Sequence, residues 1–455
     1  MNPFSKEIIV VILAAGKSSR MGLKTSKVLF PVAGRPMVCG VLDIAHEYGK
    51  NSVYMVVSPD VNDALAAENV HTIVQQDPRG TGHAFALALD EIMNKDPHMA
   101  SKKIIVLLGD MPLLTSSDLS ILLASSHNAP LSVIGMRPPC AEGYGRLCVQ
   151  NDRLIRIVES KDATDAEKSI DLCHTGIMCM DGEFAQKAIP QLVPSPVTGE
   201  LYLTDLVRLA QRATYCQGPW THFMGVNTRQ ELMQAERAMQ ERLRAKAFDQ
   251  GAYLISPETT FFSYDTVVSP GVVVHPMVCF GPGVVLDSDV TIYSNSVLEH
   301  CSIQHNASIG PFARIRAGTV LGPFGQIGNF METKNATFGA YSQAKHLSYI
   351  GDAVIGDHVN IGAGVITCNY DGHSKKITQL DDGVFVGSHS IFIAPIHVGK
   401  NATIGAGSVI TKSVECETLA LSRAEQKAIP LRANSRHLNR VKKGAPEAPV
   451  GNLPE

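Results

Sequence analysis

Apolar residues return every six positions through the second half of the chain. They stand at Val272, Val278, Val284 and Val290, at Ile303, Ile309, Ile315, Leu321 and Ile327, and again at Val386, Phe392, Val398, Ile404 and Ile410. A period of six suits neither a helix nor a simple alternating strand. It fits a short strand, a corner, and one inward apolar residue per side of a triangular coil, which predicts a left-handed parallel β-helix built from hexapeptide repeats. Gly and Asn are expected at the corners, where positive φ is required. Roughly 18 residues make a coil, so about seven coils fit once loops are allowed for. Each coil buries its inward face only against its neighbours, and the flat sides of such a prism favour self-association.

The hexads are interrupted twice. Lys334, His346 and Tyr349 fall between Ile327 and Ile350, and Asn369 and Tyr370 fall between Ile366 and Val384. Insertions in a solenoid gather on one face, often the binding face. A lone loop His is more often a hydrogen-bonded structural residue. Here the clustering of titratable side chains in the interruptions favours chemistry, with His346 able to titrate near neutral pH. His358, His389 and His397 lie in the same half, but within regular hexads where outward His is common, which disfavours a zinc site.

The first half alternates strand-like segments (8–13, 53–57, 104–108, 131–135) with helical patterns (82–93, 118–125). This predicts an α/β, Rossmann-like domain with a mostly parallel sheet, whose ligands bind beyond the carboxyl ends of the strands. The first strand runs into Leu13-Ala14-Ala15-Gly16-Lys17-Ser18-Ser19-Arg20. Small residues there let backbone N–H groups approach an anion, and Lys17 and Arg20 add charge. The loop matches neither GxxxxGK[ST] nor GxGxxG, so an ordinary βα turn is its competing reading. Lys27 follows and can reach a nucleotide phosphate, although a lone Lys is usually solvated. Asp110 ends a buried strand, where a carboxylate suits Mg²⁺ or, alternatively, caps a turn. Gln75, Gly80, Thr81, Gly145 and Glu159 occupy further polar loops. Residues 228–250 read as one long helix, with Thr228 and Glu231 as its capping box and Gly251 as its stop.

The chain is 455 residues long and 45% hydrophobic, with a net charge of -3 and only 6% aromatic residues. That balance gives no electrostatic or stacking footprint for nucleic acid. No apolar run is long enough for a membrane span, and the short run 8–15 reads as a buried strand rather than a signal peptide. The ten cysteines show no metal spacing and are expected to be reduced thiols in a cytoplasmic protein.

Taken in order, the segment 13–29, Gly80-Thr81-Gly82, Gly109-Asp110, Gly143-Tyr144-Gly145-Arg146, Val158-Glu159 and Gly225-Val226-Asn227 resemble nucleotidyltransferases acting on sugar phosphates. Together with the hexads, Asn360-Ile361-Gly362-Ala363-Gly364 and Thr367-Cys368-Asn369-Tyr370, they resemble the bifunctional GlmU family over about residues 6–425. That resemblance implies a nucleotidyltransferase (uridylyltransferase) domain at 1–228, a helical linker at 229–251, a β-helix acetyltransferase domain at 252–425 and a tail at 426–455. In the first domain it implies that Leu13, Ala14, Ala15 and Gly16 hold UTP, and that Lys27 offsets phosphate charge. Gln75, Gly80 and Thr81 would read the base beside Gly109, while Gly145 and Glu159 contact the sugar phosphate. Asp110 and Asn227 would hold Mg²⁺. In the second domain it implies His346 as general base and Arg316, Lys334, Tyr349 and Asn360 as the substrate site. Ala363, Asn369, Tyr370, Ser388, Ala406 and Arg423 would line the acetyl-CoA site, completed between subunits of a homotrimer. Three positions depart from the family pattern: Ser26 stands in place of Pro, Leu108 of Tyr, and His174 of a sugar-binding Asn. A His cannot offer a donor and an acceptor in the geometry of an amide. A single-activity nucleotidyltransferase using its β-helix only for assembly or regulation is the alternative.

Overall fold

The computed structural model describes residues 8–16, 25–66, 68, 70–151 and 153–430. Lys17, Arg20 and the basic segment 432–443 lie outside them. Strand β1 (Ile8–Ala14) is buried along its whole length because helices cover both faces of the sheet, which is why it reads as an unbroken apolar run. It pairs in parallel with β2 (Val53–Val57) on one side and β4 (Lys103–Leu108) on the other. Beyond β2 lies β3 (His71–Val74). Helices α1 (Met37–Gly49), α2 (Thr81–Lys95) and α3 (Ser116–Ser125) complete the crossovers.

The far side of the sheet departs from the parallel expectation. Strand β8 (Cys173–Asp181) inserts antiparallel between β4 and β5 (Leu131–Met136). The hairpin β6 (Arg146–Gln150) and β7 (Arg153–Val158) closes that edge, joined through β9 (Ala213–Gln217). The full order is β3-β2-β1-β4-β8-β5-β9-β7-β6. In β8 the register shifts between His174, which stays paired with Gly135, and Met178, the chain turning through Gly176 at φ 92.

Helix α4 (Arg229–Asp249) starts at a complete capping box, in which Thr228 accepts from the Glu231 N–H and Glu231 accepts from the Thr228 N–H. Its buried Gln240 pairs with both backbone groups of Phe262, at 2.8 and 2.7 Å. One turn earlier Glu236 accepts from the Ala33 N–H at 2.7 Å, and the Ala33 carbonyl accepts from the Tyr264 N–H. Arg35 lies over the Tyr264 ring at 4.9 Å. The hairpin 31–36, the long helix and the first coil are thus tied by satisfied polar groups.

From Tyr253 to Ala420 the chain is a left-handed parallel β-helix, with one apolar cluster running from Ala247 to Ile410. One face stacks ten strands, more than the seven coils expected. Eight of them lie between Val273 and Ile404, and Tyr253–Leu254 and Leu419–Ala420 add one rung at each end. The first interruption is not an insertion. Gln326–Asn329 and Gln343–His346 stay in register, as do Glu332–Phe338 and Tyr349–Ile355, with Met331, Phe338 and Ala344 taking the inward positions. Only the second interruption leaves the coil, as an exposed turn in which Asp371 accepts from the N–H groups of His373 and Ser374.

The corners carry Asn, as expected, but also Phe312, Phe324, Phe330, Tyr341, Leu347 and His358, all at positive φ. Left-handed backbone costs roughly 1–2 kcal/mol at such residues. Coil-on-coil stacking offsets part of it: Phe324, Tyr341 and His358 stack with nearly parallel rings, centroids 4.8 and 5.0 Å apart. The inward positions decide stability. Ile309→Ala should lower the β-helix unfolding free energy by about 3 kcal/mol. Val297→Ala, at a position 45% exposed, should change it by less than about 1 kcal/mol. Urea denaturation of both variants checks this.

Candidate active sites

Two cavities meet at the carboxyl ends of β1 and β4. The first encloses about 420 Å³ against Leu13, Ala14, Ala15, Gly16, Lys27, Gln75, Gly80 and Thr81. The second encloses about 330 Å³ against Gly145, Glu159, His174, Thr204, Asn227 and Glu231. Leu13, Thr81, Leu108 and Asp110 line both. Local packing explains the shape. Gly109 lets β4 close on β1, since a Cβ there would sit 2.9 Å from that of Ala14. Gly80, at φ 102, starts α2 with its backbone against Leu201. Gln75 is buried and its Nε2 lies 2.8 Å from His83 Nδ1, so its amide is held in one orientation.

The centre of the crevice is ionic. Lys27 pairs with Asp110, and its Nζ donates to Asn227 Oδ1 at 2.6 Å. Asn227 is placed by α4, whose Glu231 carboxylate accepts from the Asn227 N–H at 2.7 Å. The helix cap therefore also positions a site residue. Asp110 Oδ1 is buried and has no hydrogen-bond partner among the described residues. An orphaned carboxylate oxygen beside an amide oxygen fits a hard cation that completes its shell with phosphates and water. No group of three His, Cys, Asp or Glu side chains suited to a metal occurs among the described residues.

In the second cavity Glu159 accepts from the Thr204 hydroxyl at 2.8 Å. Burial raises its pKa, against the effect of that hydrogen bond. His174 is buried against the cavity wall, and burial pushes its pKa down to about 4, so the ring is neutral near pH 7. Its backbone N–H donates to the Gly145 carbonyl. Leu108 packs over Gly176, where a Cβ would meet it at 2.3 Å. Ser26 is buried with its hydroxyl unpaired among the described residues, while its N–H donates to Asp60.

The β-helix residues fall into columns set by register. Ala344, Ile361, Val386 and Ile404 stack coil on coil. Two positions after each stand His346, Ala363, Ser388 and Ala406. Arg423 reaches the end of this column, donating to the Ala406 carbonyl at 3.1 Å. His346 is exposed, and its Nδ1 lies 2.9 Å from Asn329 Oδ1 on the preceding coil. An amide oxygen only accepts, so Nδ1 carries the proton and Nε2 is left bare.

Around the corner at Leu347 the second face carries Tyr349 and Lys334. Arg316 donates to Glu332 at 2.8 Å, and Lys334 has its pKa lowered, first by Lys375 of the inserted turn and then by Arg316. Three cations against the one carboxylate of Glu332 leave positive charge to spare, which suits a phosphate. Asn360 accepts from Gln343 Nε2. Asn369 donates to Asp352, whose other oxygen accepts from Asn335 at 2.6 Å. Tyr370 is exposed, its hydroxyl donating to the Gly372 carbonyl. One chain thus brings His346, Ala363, Ser388, Ala406 and Arg423 to one column and Arg316 and Lys334 to the adjacent face. Asn329, Asp352 and Lys375 were missed from the sequence. The signal for the first two was a 17-residue spacing to His346 and Asn369, one coil apart.

Comparison with known proteins agrees with both halves. Residues 10–170 match the MobA-like NTP transferase domain family, and residues 378–412 match the bacterial transferase hexapeptide (six repeats) family. Proteins named Bifunctional protein GlmU are similar over nearly the whole chain. That of Paramagnetospirillum magneticum is 40% identical over 93% of this chain and 95% of its own length. Those of Azorhizobium caulinodans and Agrobacterium fabrum are each 41% identical, over 92% and 93% of this chain and 95% of their own lengths. Among the described residues no helix is long and apolar enough to cross a membrane.

The depressed His174 pKa makes a stability prediction. Its folded value lies below the unfolded 6.5, so the unfolded chain takes up a proton that the folded ring refuses. Stability is intact above pH 6.5 and falls as pH drops toward 4. Between pH 7 and pH 5 the wild type should lose about 2 kcal/mol more than His174→Asn. Denaturant titrations at the two pH values measure the difference.

Proposed function

This chain belongs to the bifunctional GlmU family, and from that premise we propose that it performs two successive steps in making UDP-N-acetylglucosamine. The β-helix half transfers an acetyl group from acetyl-CoA to the amine of glucosamine 1-phosphate, releasing CoA. The α/β half then joins UTP to N-acetylglucosamine 1-phosphate, releasing pyrophosphate. The observation that carries the uridylyl step is the pair of cavities joined at Asp110, one beside Leu13–Gly16 and Lys27 and the other beside Gly145 and Glu159.

In the uridylyl transfer the sugar phosphate oxygen attacks the α-phosphorus of UTP in line, and catalysis is mainly positioning and charge stabilisation. Backbone N–H groups at residues 13–16 face the phosphates, and Lys27 offsets their charge. Gln75, Gly80 and Thr81 hold the base, and Gly145 and Glu159 hold the sugar. Asp110 and Asn227 would hold Mg²⁺, which when bound would supply positive charge to offset the charge of the phosphates.

In the acetyl transfer His346 Nε2 accepts a proton from the attacking amine, while Asn329 keeps the ring in that tautomer. Arg316 and Lys334 bind the sugar phosphate, Tyr349 and Asn360 orient the sugar, and Ala363, Asn369, Tyr370, Ser388, Ala406 and Arg423 hold acetyl-CoA. A single chain presents these groups on two faces of a prism, either side of Leu347. That arrangement supports a site closed by a neighbouring subunit, in a homotrimer. Free cysteines throughout and the lack of a membrane-crossing helix among the described residues are compatible with a cytoplasmic enzyme.

Thiol release and pyrophosphate release separate the two activities. His346→Ala should lower thiol release from acetyl-CoA and glucosamine 1-phosphate by at least about 100-fold and leave pyrophosphate release from UTP and N-acetylglucosamine 1-phosphate intact. Asp110→Ala should do the reverse, lowering pyrophosphate release by at least about 100-fold. Wild-type pyrophosphate release with no thiol release would favour a β-helix used only for assembly.

A further inference from the structure

Asp352 is a carboxylate buried at a corner of the β-helix, and its side-chain partners are both neutral. It is 7% exposed and stands at φ 46. Asn335 Nδ2 donates to its Oδ1 at 2.6 Å, and Asn369 Nδ2 donates to its Oδ2. Each partner lies 17 residues away, one coil below and one coil above. Buried charges are usually paired with a counter-charge. Here the two bonds call for something a neutral side chain lacks. An Asn at this corner would offer one acceptor and one donor, and its neighbours could bond to it with either end of their amides. A carboxylate only accepts, on both sides. It therefore makes both neighbouring amides turn their NH₂ groups toward it and their oxygens away.

That choice matters most at Asn369, the residue from which the exposed turn leaves the coil. Its backbone is already held: its N–H donates to the Thr367 carbonyl at 3.0 Å, and its carbonyl accepts from the Lys376 N–H at 2.8 Å. The buried Thr367 hydroxyl in turn bonds both backbone groups of Gly351, the neighbour of Asp352, at 2.8 and 3.0 Å. The freedom left to Asn369 is a half-turn of its amide, and Asp352 removes it. Asn369 Oδ1 is left pointing away from Asp352, with no hydrogen-bond partner among the described residues. The pantetheine arm of acetyl-CoA carries amide N–H groups, which only donate. We propose that Asp352 is a positioning residue for acetyl transfer, acting through Asn369 by holding its amide so that Oδ1 accepts a hydrogen bond from an amide N–H of acetyl-CoA. The proposal rests on the acetyl-transfer reading of this half, and it adds the group that sets which end of the Asn369 amide meets the cosubstrate.

Thiol release from acetyl-CoA and glucosamine 1-phosphate tests this on the full chain. Asp352→Leu removes both acceptors, at a corner type where Leu347 already stands at φ 51. It should raise the KM for acetyl-CoA about tenfold, the worth of one hydrogen bond, and keep kcat within about threefold. The KM for glucosamine 1-phosphate and pyrophosphate release by the other half should stay within about twofold of wild type. A general loosening of the β-helix would move kcat and both KM values together. Asn369→Ala should raise the KM for acetyl-CoA by a similar factor, and adding Asp352→Leu to it should change little more, because the second residue acts through the first. An unchanged KM for acetyl-CoA in Asp352→Leu, or effects that simply multiply in the double variant, overturns the proposal. Should Asp352→Leu fail to fold, a crystal structure of the wild type with CoA decides. An N–H of the pantetheine arm within hydrogen-bond distance of Asn369 Oδ1 supports the proposal, and a CoA carbonyl there, or no contact, overturns it. A wild type that releases no thiol and binds no CoA defeats the acetyl-transfer reading itself, whereas thiol release indifferent to Asp352 defeats only this proposal.

Discussion

An inward side chain in a β-helix is buried by the other sides of its own coil and by the coils above and below. Ile309 and Val386 are both fully buried in this way. The stacking register is therefore fixed by burial: a slip of one residue would turn every inward side chain outward. A fixed register also fixes what happens two residues later. His346, Ala363, Ser388 and Ala406 form a column because Ala344, Ile361, Val386 and Ile404 do. The proposed acyl-transfer groups inherit their alignment from the core, with no separate device to hold them. The same holds for Asn329 and His346, whose contact is a neighbouring rung of the ladder that pairs Ile327 with Ala344.

The first half solves the positioning problem differently. Its central strands end together, and the groups that matter stand just past those ends. Leu13–Gly16 form the end of β1 and the turn that leaves it, and Asp110 follows β4 across the glycine that lets the two strands close. Asn227 comes from elsewhere, delivered by the start of a long helix whose capping carboxylate holds its backbone. Lys27 between Asp110 and Asn227 compensates charge that would otherwise be stranded in a half-buried crevice. A cationic side chain held at that point is well placed to exchange one anionic partner for another when phosphates arrive.

Much of this was legible in the order of residues, for a physical reason: hexads, strand ends and caps are local. Asp110 can be placed from its own strand, and α4 from Thr228, Glu231 and Gly251. What was not legible depends on pairing between distant segments. Strand β8 carries Gly176 inside a bulge and runs against its parallel neighbours, so no period marks it. His174 lies opposite Gly135 and donates its N–H to the Gly145 carbonyl, contacts between segments far apart in sequence, and its Nδ1 is unpaired among the described residues. The seven expected coils became a ten-stranded face because the outermost rungs need only half a hydrophobic pattern. The supposed first insertion proved regular because Met331, Phe338 and Ala344 fill inward sites that a search for Val and Ile passes over.

The junction between the halves is more than a tether. Gln240 satisfies both backbone groups of Phe262 while buried, and a buried amide with all its bonds made tolerates little displacement. Glu236 and Tyr264 then grip Ala33 from two sides. Ala33 stands in the hairpin that follows the short turn carrying Lys27. The first coil of the β-helix thereby fixes the far end of the segment that presents a cation to the nucleotide crevice. The α/β half is thus built against the β-helix half through the hairpin that follows Lys27, so the two halves share a junction of satisfied polar contacts although each keeps its own chemistry.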